Sequence, residues 1–258
     1  AMIGLAVTGH LVSRAIPAAP AIAPNLKINP NLFGESLHVL SLVKKNNVVR
    51  RAVFGVSWFW FVGTLLSAQL PNYAKLHMGG SESLNLLALA LFSIGTGLGS
   101  LWCEKLSQRT VEIGLVPFGA LGMTVFCADL YFARPGLAPE TGITLLQFWQ
   151  QAGSFRIMAD LALVGLFAGF FIVPLFALIQ SRTERSELSR VIAGMNIQNA
   201  LFIVSAAVTG IVLQRYLGFS IPQVFLLLAV LNAAVAVYLM VLVPEFFMRF
   251  IAWIYMRV

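Results

Sequence analysis

The sequence predicts an all-α, polytopic membrane protein, from its composition and from the length and pattern of its apolar stretches. Of 258 residues, 59% are hydrophobic and 10% are charged, and the mean hydropathy is +0.86. A soluble domain carries about 25% charged residues, which argues strongly against a soluble fold. Six apolar stretches are long enough to cross a hydrocarbon core of about 30 Å, which takes about 20 residues of helix. Lipid cannot hydrogen-bond to the backbone, and none of the stretches alternates like a barrel strand, so we expect helices.

The six predicted spans follow one another along most of the chain. They are Ala52–Leu70, Leu84–Cys103, Ile113–Phe132, Met158–Ile179, Val191–Leu213 and Ile221–Val243. A shorter apolar segment, Ala1–Val12, precedes them, and we expect it to be the end of a helix that begins upstream. A signal peptide is the alternative, but the segment lacks a basic start and Arg14 falls inside the would-be cleavage region. We therefore expect the chain to be a fragment of a longer protein.

Positive charge is concentrated in the linker before the first span. Residues 14–51 contain six basic residues against the acid Glu35, a net +5 of the +7 for the whole chain. Basic residues beside spans mark the cytoplasmic side, so we expect 104–112, 180–190 and the C-terminus inside, and 71–83, 133–157 and 214–220 outside. This distribution argues against nucleic acid as a partner. Leu37, Leu40 and Val43 predict a short helix on the inner surface, from about Ser36 to Val49.

These features divide the chain into four parts. Residues 1–13 are the end of a transmembrane helix, 14–51 a basic cytoplasmic loop, 52–243 a six-helix bundle, and 244–258 an amphipathic cytoplasmic tail that could lead into a fused domain. A long basic loop followed by six spans is the organisation expected of the central loop and second half of a twelve-helix transporter.

One face of the first span suggests a substrate path. At helical spacing this face carries Trp58, Phe61, Leu65, Gln69 and Asn72, so it is aromatic at the inner end and amide-bearing towards the outer end. An amide facing hydrocarbon costs free energy unless it finds partners, so these amides should point into a bundle or a cavity. Contact with a substrate and hydrogen bonding between helices both remain open.

Amides also cluster at the start of the fifth span. Asn196 and Asn199 share a face there, where they could line the inner mouth of a pathway or pack against a neighbouring helix. Charges inside the spans are few. Asp129 and Asp160 lie near outer helix ends, where Arg134 or Arg156 could pair with them, and proton coupling is the alternative.

Metal and catalytic chemistry have no visible basis in the sequence. His10, His38 and His77 are scattered without ligand-like spacing, and the two cysteines, Cys103 and Cys127, are expected at different depths. We propose no metal site and no cofactor. Because no nucleophile lies beside a candidate base, we expect a protein that is not an enzyme.

The turn between the second and third spans carries a recognisable motif. Gly95–Val116 reads GTGLGSLWCEKLSQRTVEIGLV. It resembles the loop signature of the major facilitator superfamily, Gly-x-x-x-Asp-Arg, although here Ser100-x-x-x-Glu104 has the small-to-acidic spacing. Gly95 and Gly99 precede the motif and Arg109 follows it. A small residue lets helices approach, and the acid can pair with a base across an inner gate, where we also place Arg190 at the start of the fifth span.

Longer segments narrow the resemblance. VSWFWFVGTLLSAQLPNYAK, ALALFSIGTGLGSLWCEKLS, VEIGLVPFGALGM and VPEFFMRFIAWIYMRV together resemble the lysophospholipid transporter branch of that superfamily, including bacterial fusions with an acyltransferase and acyl-carrier-protein synthetase. The resemblance implies the C-terminal six-helix half of a twelve-helix fold in the bacterial inner membrane. It also implies a missing N-terminal half and a lysophospholipid substrate of the 2-acylglycerophosphoethanolamine type, moved among membrane lipids by alternating access and then reacylated.

Two other functions remain as alternatives to lysophospholipid transport. The chain could be a membrane anchor for the fused acyltransferase or acyl-carrier-protein synthetase, or it could be a facilitator that exports drugs or small solutes.

Overall fold

The computed structural model describes residues 2–17, 31–79, 82–107, 112–133 and 142–242, together with positions 248, 251 and 255. The chain forms two units, Ala1–Leu32 and Phe33–Val258. The first unit contains α1 (Met2–Ser13), whose side chains from Ile3 onward are exposed. The predicted tail, 244–258, lies outside the described residues except at the three isolated positions, which are helical.

The second unit is built from helices throughout its described part, which confirms the predicted all-α fold class. Its helices are α2 (Leu32–Lys44), α3 (Asn47–His77), α4 (Glu82–Leu106), α5 (Leu115–Phe132), α6 (Leu145–Gln150), α7 (Ser154–Arg182), α8 (Leu188–Ile211) and α9 (Ile221–Leu242). Six of them, α3, α4, α5, α7, α8 and α9, are long and apolar enough to cross a membrane. The six predicted spans are therefore confirmed, although several helices extend beyond the predicted limits.

Local signals set the ends of the longest helix. The Asn46 side chain accepts hydrogen bonds from the backbone N–H groups of Val48 and Val49, which caps the start of α3. Pro71 lies inside the helix, which nevertheless continues to His77. At about 1.5 Å per residue, 31 residues extend about 46 Å, longer than the hydrocarbon core, so α3 reaches beyond it.

Helices α3 and α7 each pack against four other helices. Helix α3 packs against α4, α7, α8 and α9, while α7 packs against α3, α4, α5 and α6. The first three spans can be matched in order with the last three, α3 with α7, α4 with α8 and α5 with α9. Under this exchange the α4–α7 contact becomes the α8–α3 contact, and the α5–α9 contact is unchanged. These contacts have the pattern expected of two related three-helix units, as in nested transporter repeats, although the α3–α4 contact has no equally close α7–α8 counterpart.

The close contact between α4 and α7 depends on four glycines. A Cβ atom at Gly95 or Gly99 would collide with the backbone oxygen of Ala162 or Leu166. In the opposite direction, a Cβ at Gly165 would collide with Phe92, and one at Gly169 would lie 2.6 Å from the backbone nitrogen of Ser100. Small residues permit such backbone approach in membranes, where packing replaces the hydrophobic effect between helices. We call these four glycines the glycine seam.

Helix α2 is the short helix predicted in the basic linker, although it begins four residues earlier and ends at Lys44. Its buried side chains are Val39, Leu42 and Val43. A Cβ atom at Gly194 of α8 would lie 2.6 Å from the Val39 backbone oxygen, so the two helices touch closely. On its other side Phe33 and Leu37 are exposed, which is the amphipathic pattern of an interfacial helix.

Candidate functional site

Buried amides connect α3 to its neighbours. Ser57 Oγ donates to Asn199 Oδ1 on α8 over 2.8 Å, and Gln214 Nε2 donates to Gln69 Oε1 over 2.6 Å. Gln214 belongs to a π-helical turn, Val212–Tyr216, that continues α8. Such turns shift the register of side chains and are frequent at functional sites.

A third connection joins three helices through one amide. Asn232 of α9 accepts from Trp58 Nε1 over 2.9 Å, and its Nδ2 donates to the Ala120 oxygen and to Thr124 Oγ1 on α5, over 2.9 and 3.0 Å. Thr124 Oγ1 donates in turn to the Ala120 oxygen. Trp58 also stacks on Phe61, with ring centroids 5.0 Å apart.

The residues predicted to line the path fall into two groups. Trp58, Phe61, Leu65, Gln69 and Asn199 are buried inside the bundle, while Asn72 and Asn196 are exposed. For Gln69 and Asn199, the structure therefore shows hydrogen bonding between helices, one of the possibilities left open by the sequence. The two exposed amides remain free to meet a substrate or a further helix.

Another face of α3 was not singled out from the sequence. Trp60 is 41% exposed, and Thr64 and Ser67, one and two turns further, are partly exposed. On α4 the exposed positions include Ser93 and Gly97, beside large apolar residues such as Ile94 and Leu98. The sequence does carry a signal for this face, because Thr64 and Ser67 place hydroxyl groups at helical spacing. The neighbouring aromatic residues Trp58 and Phe61 gave a stronger pattern.

Exposed small and polar residues also occur on α8, where Asn196 lies between Ala193 and Ala200, although apolar side chains accompany them further along. By contrast, the exposed residues of α5 and α9 are mainly large and apolar, such as Val125 and Val230. A surface that faces lipid is expected to be mainly apolar, as the exposed residues of α5 and α9 are. Only α3, α4 and α8 of these helices expose the small and polar set named above, and we call that set, Thr64, Ser67, Asn72, Ser93, Gly97, Ala193, Asn196 and Ala200, the polar face.

Two of the predicted gate residues, Glu104 and Arg190, lie at the end of the bundle where α3 begins. Glu104 is exposed in the last turn of α4, and Arg190 is half-buried in the first turn of α8. Ser100 donates to the Thr96 oxygen of its own helix over 2.8 Å. Arg109 lies outside the described residues. At this end Lys45 pairs with Glu187, with an Nζ to Oε1 distance of 2.6 Å, which ties the start of α3 to the start of α8.

At the opposite end Asp129 pairs with Arg156, one of the two arginines considered for it. Arg156 Nε donates to Asp129 Oδ2 over 2.8 Å. Arg134 lies outside the described residues. Asp160 is buried, and its Oδ2 has no hydrogen-bond partner among the described residues. Proton coupling at this carboxyl therefore stays a prediction.

The fold and these surfaces define a multi-pass helical membrane protein. The chain is similar to the lysophospholipid transporter LplT of Citrobacter koseri, with 28% identity over 195 residues that cover 70% of this chain and 44% of the relative. The LplT proteins of Escherichia coli O157:H7 and Klebsiella pneumoniae are 27% and 28% identical, each over 185 residues, covering 70% and 71% of this chain and 42% and 41% of the relatives. These relatives confirm the resemblance to lysophospholipid transporters.

The chain spans less than half the length of the curated relatives it matches. No protein-family model matches it, and no solved structure matches it.

The Gln69–Gln214 contact can be tested by a double-mutant cycle. Gln69→Leu leaves the half-buried Gln214 amide without this partner, and Gln214→Leu does the same to the buried Gln69, so we expect each single variant to be destabilised and the double variant to lose less than the sum. Interhelical hydrogen bonds in membranes couple by about 0.6–1.7 kcal/mol. The measurement is the free energy of unfolding of the four proteins in mixed micelles. A coupling energy of zero would mean that the bond contributes nothing to stability.

Proposed function

We propose that this chain is half of a lysophospholipid transporter that works by alternating access. The observation that supports lysophospholipid as the cargo is the similarity of this chain, over about 70% of its length, to proteins named lysophospholipid transporters. The same similarity favours a transporter over an enzyme. We further propose that it is the C-terminal half and that an N-terminal six-helix half completes the path, as the basic linker before α3 suggests.

The polar face supports this division of surfaces. Hydroxyl, amide and small residues on α3, α4 and α8 are unfavourable against acyl chains but suit a partner half or a water-filled path. The apolar surfaces of α5 and α9 suit lipid. We propose that the polar face meets the missing half, so that a lysolipid passes between the two halves with its headgroup on this face.

The predicted path residues have two roles in this proposal. Asn72 and Asn196, which are exposed, contact the phosphate or amine of the headgroup as it passes. The buried residues Trp58, Phe61, Leu65, Gln69 and Asn199 lie behind the polar face and hold its helices in position through their contacts with α8 and α9.

The glycine seam supports a role in gating. Because Gly95 and Gly99 bring α4 into backbone contact with α7, the two helices can move as one body against the rest of the protein. We propose that Glu104, Arg109 and Arg190 at the end of this body contribute to the inner gate, by pairing with charges of the missing half in one state.

The orientation follows from charge. At the end where α3 begins, basic residues such as Lys44, Arg50 and Arg51 outnumber acidic ones, while the described residues at the opposite end carry equal numbers. By the positive-inside rule we propose that this end and the C-terminus face the cytoplasm of a bacterial inner membrane. Transported lysophospholipid would then be delivered to the leaflet where acyltransferases can reacylate it.

The test is the uptake of labelled lysophosphatidylethanolamine by proteoliposomes that contain the full-length protein. We expect Asn72→Leu with Asn196→Leu to lower the initial rate about tenfold, because a lost hydrogen bond to a charged headgroup corresponds to about 1.5 kcal/mol. The matched control, Val125→Leu with Val230→Leu on the apolar surfaces, should stay within about twofold.

Two results would contradict these proposals separately. If the unmodified protein moves no lysophospholipid, the proposed function is wrong. If it does and the double asparagine variant transports at the normal rate, only the assignment of the path is wrong.

A further inference from the structure

A pocket lies between α2 and the helix bundle, at the end where α3 begins. Its volume is about 360 Å³, and residues of α2, α3, α8 and α9 line it. This volume is within the range of about 300–1,000 Å³ that is typical of small-molecule sites. We call it the α2 pocket.

The charged residues of the described pocket lining are all basic. They are Lys44, Arg50 and Arg51, and no described lining residue is acidic. The neighbouring Lys45 pairs with Glu187 and lines a separate pocket that also contains Glu184. Among the described lining residues, positive charge is therefore in excess in the α2 pocket and balanced in the pocket beside it.

The rest of the α2 pocket is largely apolar. Phe54 and Tyr238 meet edge to face there, with ring centroids 5.5 Å apart, and Leu37, Leu40 and Val43 of α2 add aliphatic surface. Gln198 contributes the amide. A site with three cations beside aromatic and aliphatic walls favours an amphiphile that carries an anionic group over a small hydrophilic anion.

The position of α2 indicates where such an amphiphile would come from. One face of α2 packs on the bundle through Val39, Leu42 and Val43, while Phe33 and the pocket residue Leu37 are 87% and 69% exposed. An amphipathic helix with exposed Phe and Leu next to membrane spans lies at the headgroup level of the bilayer. The α2 pocket therefore opens where phospholipid headgroups are found.

We propose that the α2 pocket binds the headgroup of an anionic diacyl phospholipid from the surrounding leaflet. Lys44, Arg50 and Arg51 surround the phosphate, and the acyl chains run over the exposed apolar side of α2. A zwitterionic headgroup fits less well, because its ammonium group finds no carboxylate among the described lining residues. The bound lipid acts as a structural ligand that holds α2 against the bundle. This role does not depend on the transported cargo.

The experiment is native mass spectrometry of the full-length protein in detergent, titrated with dioleoyl phosphatidylglycerol or dioleoyl phosphatidylcholine. We expect phosphatidylglycerol to bind at least about tenfold more tightly. Lys44→Gln with Arg50→Gln should weaken its binding about 10- to 30-fold, because each basic residue beside an anionic headgroup contributes about fivefold. Both side chains are exposed, so the variant should fold, which its thermal unfolding checks.

Lys45→Gln is the matched control, since it removes one cation from the same turn but outside the α2 pocket, and binding should change less than about twofold. Three outcomes would overturn the proposal: equal binding of the two lipids, unchanged binding in the Lys44/Arg50 variant, or displacement by inorganic phosphate at the lipid's own concentration. Displacement by equimolar lysophosphatidylethanolamine would also overturn it, because the α2 pocket would then hold cargo.

Discussion

Gly99→Ala is expected to destabilise the protein, although alanine is the better helix former. The new methyl group would overlap the backbone oxygen of Leu166, and backbone cannot rotate aside as a side chain can. Helix α4 must therefore move away from α7 along the glycine seam. We expect a loss of about 1–3 kcal/mol, the usual range for overpacking, as a lower free energy of unfolding in mixed micelles.

Gly97→Ala on the same helix provides the control. No described atom lies within 4 Å of the Cβ position there, so the methyl group has space. Replacing glycine by alanine inside a helix stabilises by about 0.5–1 kcal/mol when nothing opposes it. We thus expect opposite signs at two positions two residues apart. If both substitutions stabilise, the helices are not in backbone contact at Gly99.

The helices themselves could be predicted from the sequence because length and hydropathy decide whether a segment can lie in lipid. Their ends were less predictable. Helix α3 passes Pro71 and continues to His77, since proline removes one N–H group while the neighbouring turns keep theirs. The π-helical turn after Ile211 was also not predictable, because the pattern of apolar residues does not distinguish it from an α-helix. This turn places Gln214 beside Gln69.

The candidate site shows a different limit. Periodicity correctly grouped Trp58, Phe61, Leu65 and Gln69 on one face, but it cannot distinguish a face that packs within its own half from a face that lines a path. The structure buries these four residues, and exposes Trp60 in their place. Only the positions of the other helices separate the two cases.

A buried amide that sequence reasoning passed over is the centre of the best-connected polar cluster. Apart from Gln223 in the first turn, Asn232 is the only amide in the described helix α9, and an isolated polar residue in the middle of a span is itself a signal. Its hydrogen-bond partners are Trp58 on α3 and Ala120 and Thr124 on α5. Because they lie on other helices, the sequence of α9 alone does not predict them.

Asn232→Leu is expected to cost about 2–3 kcal/mol of unfolding free energy. Leucine is similar in size, so little cavity forms, but the Trp58 indole N–H loses its acceptor in the buried interior, and an unsatisfied buried donor costs about 1–3 kcal/mol. The Ala120 oxygen keeps the Thr124 hydroxyl as a donor, which limits the further loss. Asn196→Leu is the same substitution at an exposed position, and it should change the unfolding free energy by less than about 0.5 kcal/mol.

Trp58→Phe distinguishes a lost hydrogen bond from a general packing defect. Alone, it leaves Asn232 Oδ1 without the indole donor and removes part of the ring that stacks on Phe61, so it should also destabilise. Combined with Asn232→Leu it removes donor and acceptor together, and the double variant should be more stable than the sum of the single losses predicts, by about 0.6–1.7 kcal/mol. Strict additivity would mean that the two residues act independently, and that α3 and α9 are joined by apolar packing alone.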